Sequence, residues 1–182
     1  VPALSNSLTL GRPWNATSGF NYTGGAAGTF TVNNTLTTSA ATSVNNTGAT
    51  AITGTGTFTS GATLTNAGAG TLTISTTGGF NNASSVTVTN PITIAVGTTP
   101  VTGTDSANYT VDSTLSFTGG TRNLGAGTGV VNGAAAGTFL VDGATINLTP
   151  DTFNINGTTQ LKSGALNING NSTLITGTDR KS

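Results

Sequence analysis

The stretch AGAGTLTISTTGGFNNASSVTVTN, residues 67–90, decides the fold class of this 182-residue chain. Two runs in it, TLTIS at residues 71–75 and SVTVT at residues 85–89, alternate threonine or serine with a branched apolar residue. Such alternation is typical of a β-strand that buries one face, and β-branched residues favour strands. The joint between the runs is rich in glycine, asparagine and serine, which favour turns. The stretch therefore predicts two short strands joined by a corner.

The same alternation recurs along the whole chain, and no part of it shows the apolar spacing of a helix. The apolar strand centres Phe58, Leu64, Leu72 and Phe80 lie about seven residues apart, which is closer than the roughly 8–12 residues of antiparallel sandwiches. This spacing predicts an all-β fold, a β-solenoid like a parallel β-helix, with short strands and Gly, Asn and Ser corners. Two or three sides per coil, and roughly 14–21 residues per coil, both agree with strands of this length. An antiparallel β-sandwich or jelly roll of the pilin type is the alternative fold.

The composition limits what the protein does. Only 5% of the residues are charged and the formal net charge is zero, against roughly 25% charged residues in ordinary soluble domains. A net charge near zero favours association, and it provides no basic surface for nucleic acid. No apolar run reaches the roughly 18 residues of a spanning helix. Cysteine and histidine are absent, so we expect no disulfide, cofactor or metal centre. The short apolar runs predict no membrane insertion. The low charge predicts an extracellular or cell-surface location.

Residues 1–182 are predicted to form one domain, with residues 26–182 as its strand body. One repeat is visible, AAGTFTVNN at residues 26–34 and AAGTFLVDG at residues 135–143. Residues 1–25 hold the single tryptophan and interrupt the strand spacing, which predicts an N-terminal strand followed by a cap or assembly segment. Its aromatic side chains also suit stacking on carbohydrate. The predicted assembly contacts are Leu4, Leu8, Leu10, Trp14, Phe20 and Tyr22.

Two stretches of the sequence have a residue pattern that is similar to that of a known family. Residues 54–90, and GTFLVDGATINLTPDTFNINGTTQLKSGALNINGNSTLI at residues 137–175, repeat Gly-Thr-apolar-Thr followed by GA or NG joints. In this they resemble the passenger regions of bacterial autotransporters and filamentous-haemagglutinin-type exoproteins. The resemblance implies a right-handed parallel β-helix, secretion, and adhesion or surface display.

Catalytic signals are few, because the usual nucleophile–base pairs need histidine or cysteine. Asp105 and Asp112 could stack on successive sides of a coil. A polysaccharide-cleaving β-helix would need these two carboxylates to converge in a cleft. The segment DSANYTVDS, residues 105–113, offers oxygen ligands for calcium, although two acids are few for that ion. The flanking residues instead favour solvated turn aspartates. We therefore predict a protein that is not an enzyme, with no catalytic residues.

Sequons for N-glycosylation are dense, and attached sugars would help an uncharged surface to stay soluble. A chain this rich in asparagine and threonine also generates sequons by chance. The candidate asparagines are Asn15, Asn21, Asn33, Asn45, Asn82, Asn108, Asn147, Asn156 and Asn171.

The threonine rows raise the question of a binding surface. Regular Thr-x-Thr pairs on one flat face would suit ice, but the pairs come at uneven intervals, which favours the plain outer face of half-buried strands. We therefore predict an extracellular structural or adhesive protein, the subunit of a self-assembling surface fibre or layer. Copies of the chain would join by β-strand addition through residues 1–10, with a host surface or glycans as further partners. An ice- or carbohydrate-binding solenoid and the polysaccharide-cleaving β-helix are the alternatives.

Overall fold

The computed structural model of the protein describes residues 7–18, 20–23, 27–97, 104–105, 108–124, 130–148, 152–168 and 173–181. Every regular element in these ranges is a strand, and none is a helix that could cross a membrane. The strands are β1 (Ser7–Leu10), β2 (Trp14–Ala16), β3 (Phe20–Tyr22), β4 (Gly28–Val32), β5 (Leu36–Thr38), β6 (Thr42–Val44), β7 (Thr50–Gly54), β8 (Phe58–Ser60), β9 (Leu64–Asn66), β10 (Leu72–Thr76), β11 (Phe80–Asn82), β12 (Ser85–Val88), β13 (Ile92–Ile94), β14 (Thr104–Asp105), β15 (Asn108–Val111), β16 (Thr114–Phe117), β17 (Thr121–Leu124), β18 (Val130–Gly133), β19 (Thr138–Leu148), β20 (Thr152–Ile168) and β21 (Thr173–Lys181).

All pairings among the described strands are parallel, and each strand pairs with the strand one coil further along the chain. Thr29 pairs with Ala51, and Ala51 with Thr73, so the register advances by 22 residues per coil in this part of the chain. Later steps vary slightly: Thr73 pairs with Thr93, and Thr93 with Ser116. The predicted β-solenoid is confirmed, and the antiparallel sandwich is wrong. The coil is slightly longer than the predicted 14–21 residues because it has three sides plus corners.

The three sides form three faces, which we number in chain order. Face 1 contains β1, β4, β7, β10, β13 and β16, followed by parts of β19, β20 and β21. Face 2 begins with β2, β5, β8 and β11 and continues through β14, β17 and the second halves of β19 and β20. Face 3 contains β3, β6, β9, β12, β15 and β18, followed by parts of β20 and β21.

The core fills the space that the three faces enclose. The apolar half of each alternation points inward, and Leu72, Ile74, Val86 and Val88 of the opening stretch are all fully buried. Aromatic rings stack from coil to coil, as between Phe58 and Phe80, whose ring centroids are 5.1 Å apart. Such ring pairs contribute about 0.5–1.5 kcal/mol beyond the burial of their area.

The corners depend on glycine where the chain passes close to the coil below. Gly54 has a φ of +117°, and a Cβ there would lie 2.3 Å from the carbonyl oxygen of Val32. No side chain fits at this distance, so the corner between β7 and β8 requires glycine.

The described part of the N-terminal segment continues the stack and does not form a separate cap structure. Trp14 pairs with Leu36, and Phe20 with Thr42, at the same 22-residue step as the coils that follow. The two copies of the sequence repeat both enter strands of face 1, where Phe30 and Phe139 point into the core.

Candidate functional site

A polar cluster lies inside the solenoid, between faces 2 and 3. Alternation along β17 places Arg122 on the same inward side as Leu124, and Asp105 pairs with Leu124 on the inward side of β14. Tyr109 points inward from β15, between Val86 and Val131. Arg122 and Asp105 are 0% exposed, and Tyr109 is 1% exposed. We call Asp105, Tyr109 and Arg122 the interior triad.

The triad is held by charge-assisted hydrogen bonds. Arg122 Nη2 donates to Asp105 Oδ2, and Tyr109 Oη donates to the same oxygen at 2.6 Å. Arg122 Nη1 donates to the carbonyl oxygen of Phe80 at 2.9 Å and reaches the carbonyl oxygen of Val96 at 3.3 Å. The guanidinium carbon lies 5.2 Å from the centroid of the Phe80 ring, within the range of a cation–π interaction. Arg122 therefore ties together strands and corners of successive coils.

The protonation states follow from this burial. Burial, followed by the charge of Asp105, raises the pKa of Tyr109 above its ordinary value, so its phenol stays neutral and donates. Burial alone would lower the pKa of Arg122, but the neighbouring oxygens of Tyr109 and Asp105 raise it by more. The guanidinium therefore stays charged inside the core, and the triad is a buried ion pair with a neutral third member.

The structure of this region differs from the prediction of solvated turn aspartates. Asp105 is not a solvated turn residue: it is fully buried, because Arg122 compensates its charge. Asp112 is exposed, so the two acids do not converge in a cleft. Arg122 and Tyr109 were not singled out, although the run TRNL at residues 121–124 signals Arg122, since alternation puts it on the side of Leu124. The described residues contain no group of three side chains suited to a metal ion.

The predicted assembly contacts fall into different environments. Leu8 and Leu10 are partly buried against the core, and Trp14 is 38% exposed at the same end of the stack. Tyr22 was assigned wrongly: it is 1% exposed and lies 6.2 Å from Phe30 between ring centroids, because alternation along β3 points it inward. Leu4 and the side chain of Phe20 lie outside the described part of the structure.

The sequon asparagines are mostly exterior. Asn147 belongs to a hydrogen-bonded amide ladder on face 2, in which its Nδ2 donates to Asn123 and its Oδ1 accepts from Asn167, both at 2.8 Å. Asn82 points inward and is fully buried, and Asn171 lies outside the described residues. Exposed positions are Asn15, Asn21, Asn33, Asn45, Asn108 and Asn156.

The outer surface of face 1 carries two vertical files, which we call the threonine files. The first consists of Thr29, Ala51, Thr73 and Thr93, and the second of Thr9, Thr31, Thr53 and Ser75. The register of the coils brings these residues together although their intervals along the sequence look uneven. The second file is unbroken, whereas Ala51 interrupts the hydroxyls of the first.

Comparison of the chain with protein-family models, with curated proteins and with solved structures gave no match in any of the three. A proposal for the function of the protein therefore rests on its sequence and on the geometry of the described residues.

Proposed function

We propose that this domain is a structural subunit of an extracellular fibre or surface layer, in which copies join end to end by β-strand addition. The main observation that supports this proposal is the outer edge of β1. Its inner edge pairs with β4 in full register, and no pairing among the described residues uses its outer edge. An edge strand of this kind is a template for another chain.

The backbone of β1 indicates which groups would make that contact. The carbonyl oxygen of Leu10 accepts from Asn33 of the next coil at 3.0 Å. Backbone groups alternate in direction along a strand, so those of Thr9 point toward the outer edge. A neighbouring copy would pair with Thr9 while the side chain of Trp14, 38% exposed at this end, became covered.

The low charge supports the same proposal, since a chain with five positive and five negative residues has little electrostatic repulsion to keep copies apart. The resemblance to autotransporter passengers and haemagglutinin-type exoproteins supports secretion and surface display. Host surfaces or glycans would be further partners in adhesion, and the exposed sequons would carry sugars in a host that glycosylates. The interior triad has a structural role in this proposal, because most of its polar groups bind one another or the carbonyl oxygens of Phe80 and Val96.

Negative-stain electron microscopy of the purified full chain tests the proposal, with filaments or sheets as the expected result. Thr9→Pro removes one outward N–H without breaking a bond to β4, so it should abolish assembly while the circular dichroism spectrum stays that of the parent. Thr9→Val keeps the N–H and is the matched control. A parent protein that stays monomeric at high concentration, or a deletion of residues 1–10 that assembles normally, contradicts the proposal.

A further inference from the structure

The threonine files of face 1 hold no amide group, whereas the central outward files of faces 2 and 3 both end in asparagine. The eight positions of the threonine files hold six threonines, one serine and one alanine, with no charge, amide or aromatic group. The central outward file of face 2 has asparagine at both ends of its first four coils, at Asn15 and Asn81. The file of face 3 runs from Asn21 through Ser43, Thr65, Thr87 and Thr110 to Asn132. Every exposed sequon also lies off the threonine files. The part of face 1 formed by β1, β4, β7, β10 and β13 therefore presents uncharged outward side chains, while attached sugars would project away from its two files.

The hydroxyls of the threonine files have no hydrogen-bond partner among the described residues, whereas some polar groups on the other faces bond to one another. On face 3, the Thr63 and Ser85 hydroxyls lie 2.8 Å apart and bond to each other. On face 2, the amides of Asn123 and Asn147 bond to each other. The outward hydroxyls of the threonine files are left to bond water. Threonine is stiff at χ1, so their positions are fixed by the backbone.

The dimensions of the array suit frozen water. Neighbouring coils of parallel strands lie about 4.8 Å apart, which sets the distance between hydroxyls along a file. Water molecules that bond tetrahedrally at about 2.75 Å have second neighbours about 4.5 Å apart. Waters held by successive hydroxyls therefore have nearly the spacing of second neighbours in ice.

We propose that the threonine files form an ice-binding surface. Ice is an uncharged, flat and periodic ligand, and these files are uncharged, periodic and borne on a parallel sheet. Crystalline polysaccharide fits less well, because the files contain no aromatic ring on which a sugar ring could stack. In the coils beyond the files the surface is charged. Lys162 Nζ and Asp142 Oδ2 form an exposed ion pair there, 3.8 Å apart. The site does not depend on the proposed end-to-end assembly.

Thermal hysteresis and inhibition of ice recrystallisation, measured on the full chain, test the proposal. The parent protein should show both activities. The double variant Thr31→Tyr/Thr53→Tyr places two bulky rings in the middle of one file, on adjacent coils, and should lower thermal hysteresis several-fold. Its matched control is Thr37→Tyr/Thr59→Tyr, which makes the same change at outward, adjacent positions of face 2 and should leave the activity unchanged.

Circular dichroism and the melting temperature of both variants show whether the fold is kept. If the face 1 variant unfolds, Thr31→Lys alone, which adds charge to the file with less bulk, replaces it with the same expected loss. The proposal is overturned if the parent shows no thermal hysteresis, if both double variants lose activity equally, or if the parent binds crystalline cellulose through face 1 while remaining inactive on ice.

Discussion

Removal of the guanidinium from the interior triad should be the most damaging single change in this region of the solenoid. Arg122→Met keeps most of the side-chain volume but leaves the Asp105 carboxylate buried, with Tyr109 as its remaining donor within the triad. The carbonyl oxygen of Phe80 also loses its bond to Nη1. Breaking a buried ion pair from one side costs about 3–5 kcal/mol. In a chain of this size that corresponds to a fall in melting temperature of roughly 6–20 °C.

Urea denaturation followed by far-ultraviolet circular dichroism measures this loss, with thermal melting as a second readout. The control is Arg12→Met, at an exposed arginine, which should change stability by no more than about 0.5 kcal/mol. The double variant Arg122→Met/Asp105→Asn removes both charges and should recover part of the loss, because no uncompensated charge is then left in the core. The reasoning is refuted if Arg122→Met behaves like Arg12→Met, or if the double variant is no more stable than the single one.

Three further predictions concern other parts of the molecule. Gly54→Ala should cost at least about 1–3 kcal/mol in urea denaturation because of its positive φ, and the contact of the new Cβ with the carbonyl oxygen of Val32 adds to that cost. Gly11→Ala, with open space around it, should be neutral; equal costs would contradict the assigned corner. Because folding raises the pKa of Tyr109 above its ordinary value, the contribution of its neutral phenol to stability should be fully present below about pH 10 and lost above it, since the unfolded chain loses the phenolic proton first. Burial also raises the pKa of Tyr22, so Tyr109→Phe should reduce the alkaline decline without removing it; a variant with an unreduced decline would contradict this. In a glycosylating host, peptide mass spectrometry should find sugar at Asn33 and none at the buried Asn82, and modification of Asn82 in the folded protein would contradict its inward placement.

The alternation of apolar and polar residues was enough to predict the strands and their inward faces. Leu72 and Ile74, for example, were expected in the core and are fully buried there. The number of sides was left open because it depends on the geometry of the corners. The 22-residue register is seen in pairs such as Thr37 and Thr59. Local sequence does not specify which residues form such pairs.

The interior triad and the threonine files were missed or undervalued for the same physical reason. An aspartate next to turn-forming residues is usually solvated, and Asp105 is buried because its partner Arg122 lies one coil later. Thr31 and Thr53 form one file because the chain returns to face 1 after 22 residues. Both features depend on contacts between coils, and the register that creates those contacts appears only when the chain is folded.

That register is the central claim on which the triad, the files and the open edge all depend, and one cross-linking measurement tests it directly. The chain has no cysteine, so Thr37→Cys/Thr59→Cys introduces a single pair, about 4.8 Å apart between Cα atoms if the two residues stack on adjacent coils. A short bifunctional thiol reagent should join them within the monomer, as seen by peptide mass spectrometry. In Thr37→Cys/Asn81→Cys the pair is separated by two coil spacings, and the same reagent should not join it. Efficient cross-linking of residues 37 and 81, or none between 37 and 59, would contradict the 22-residue solenoid.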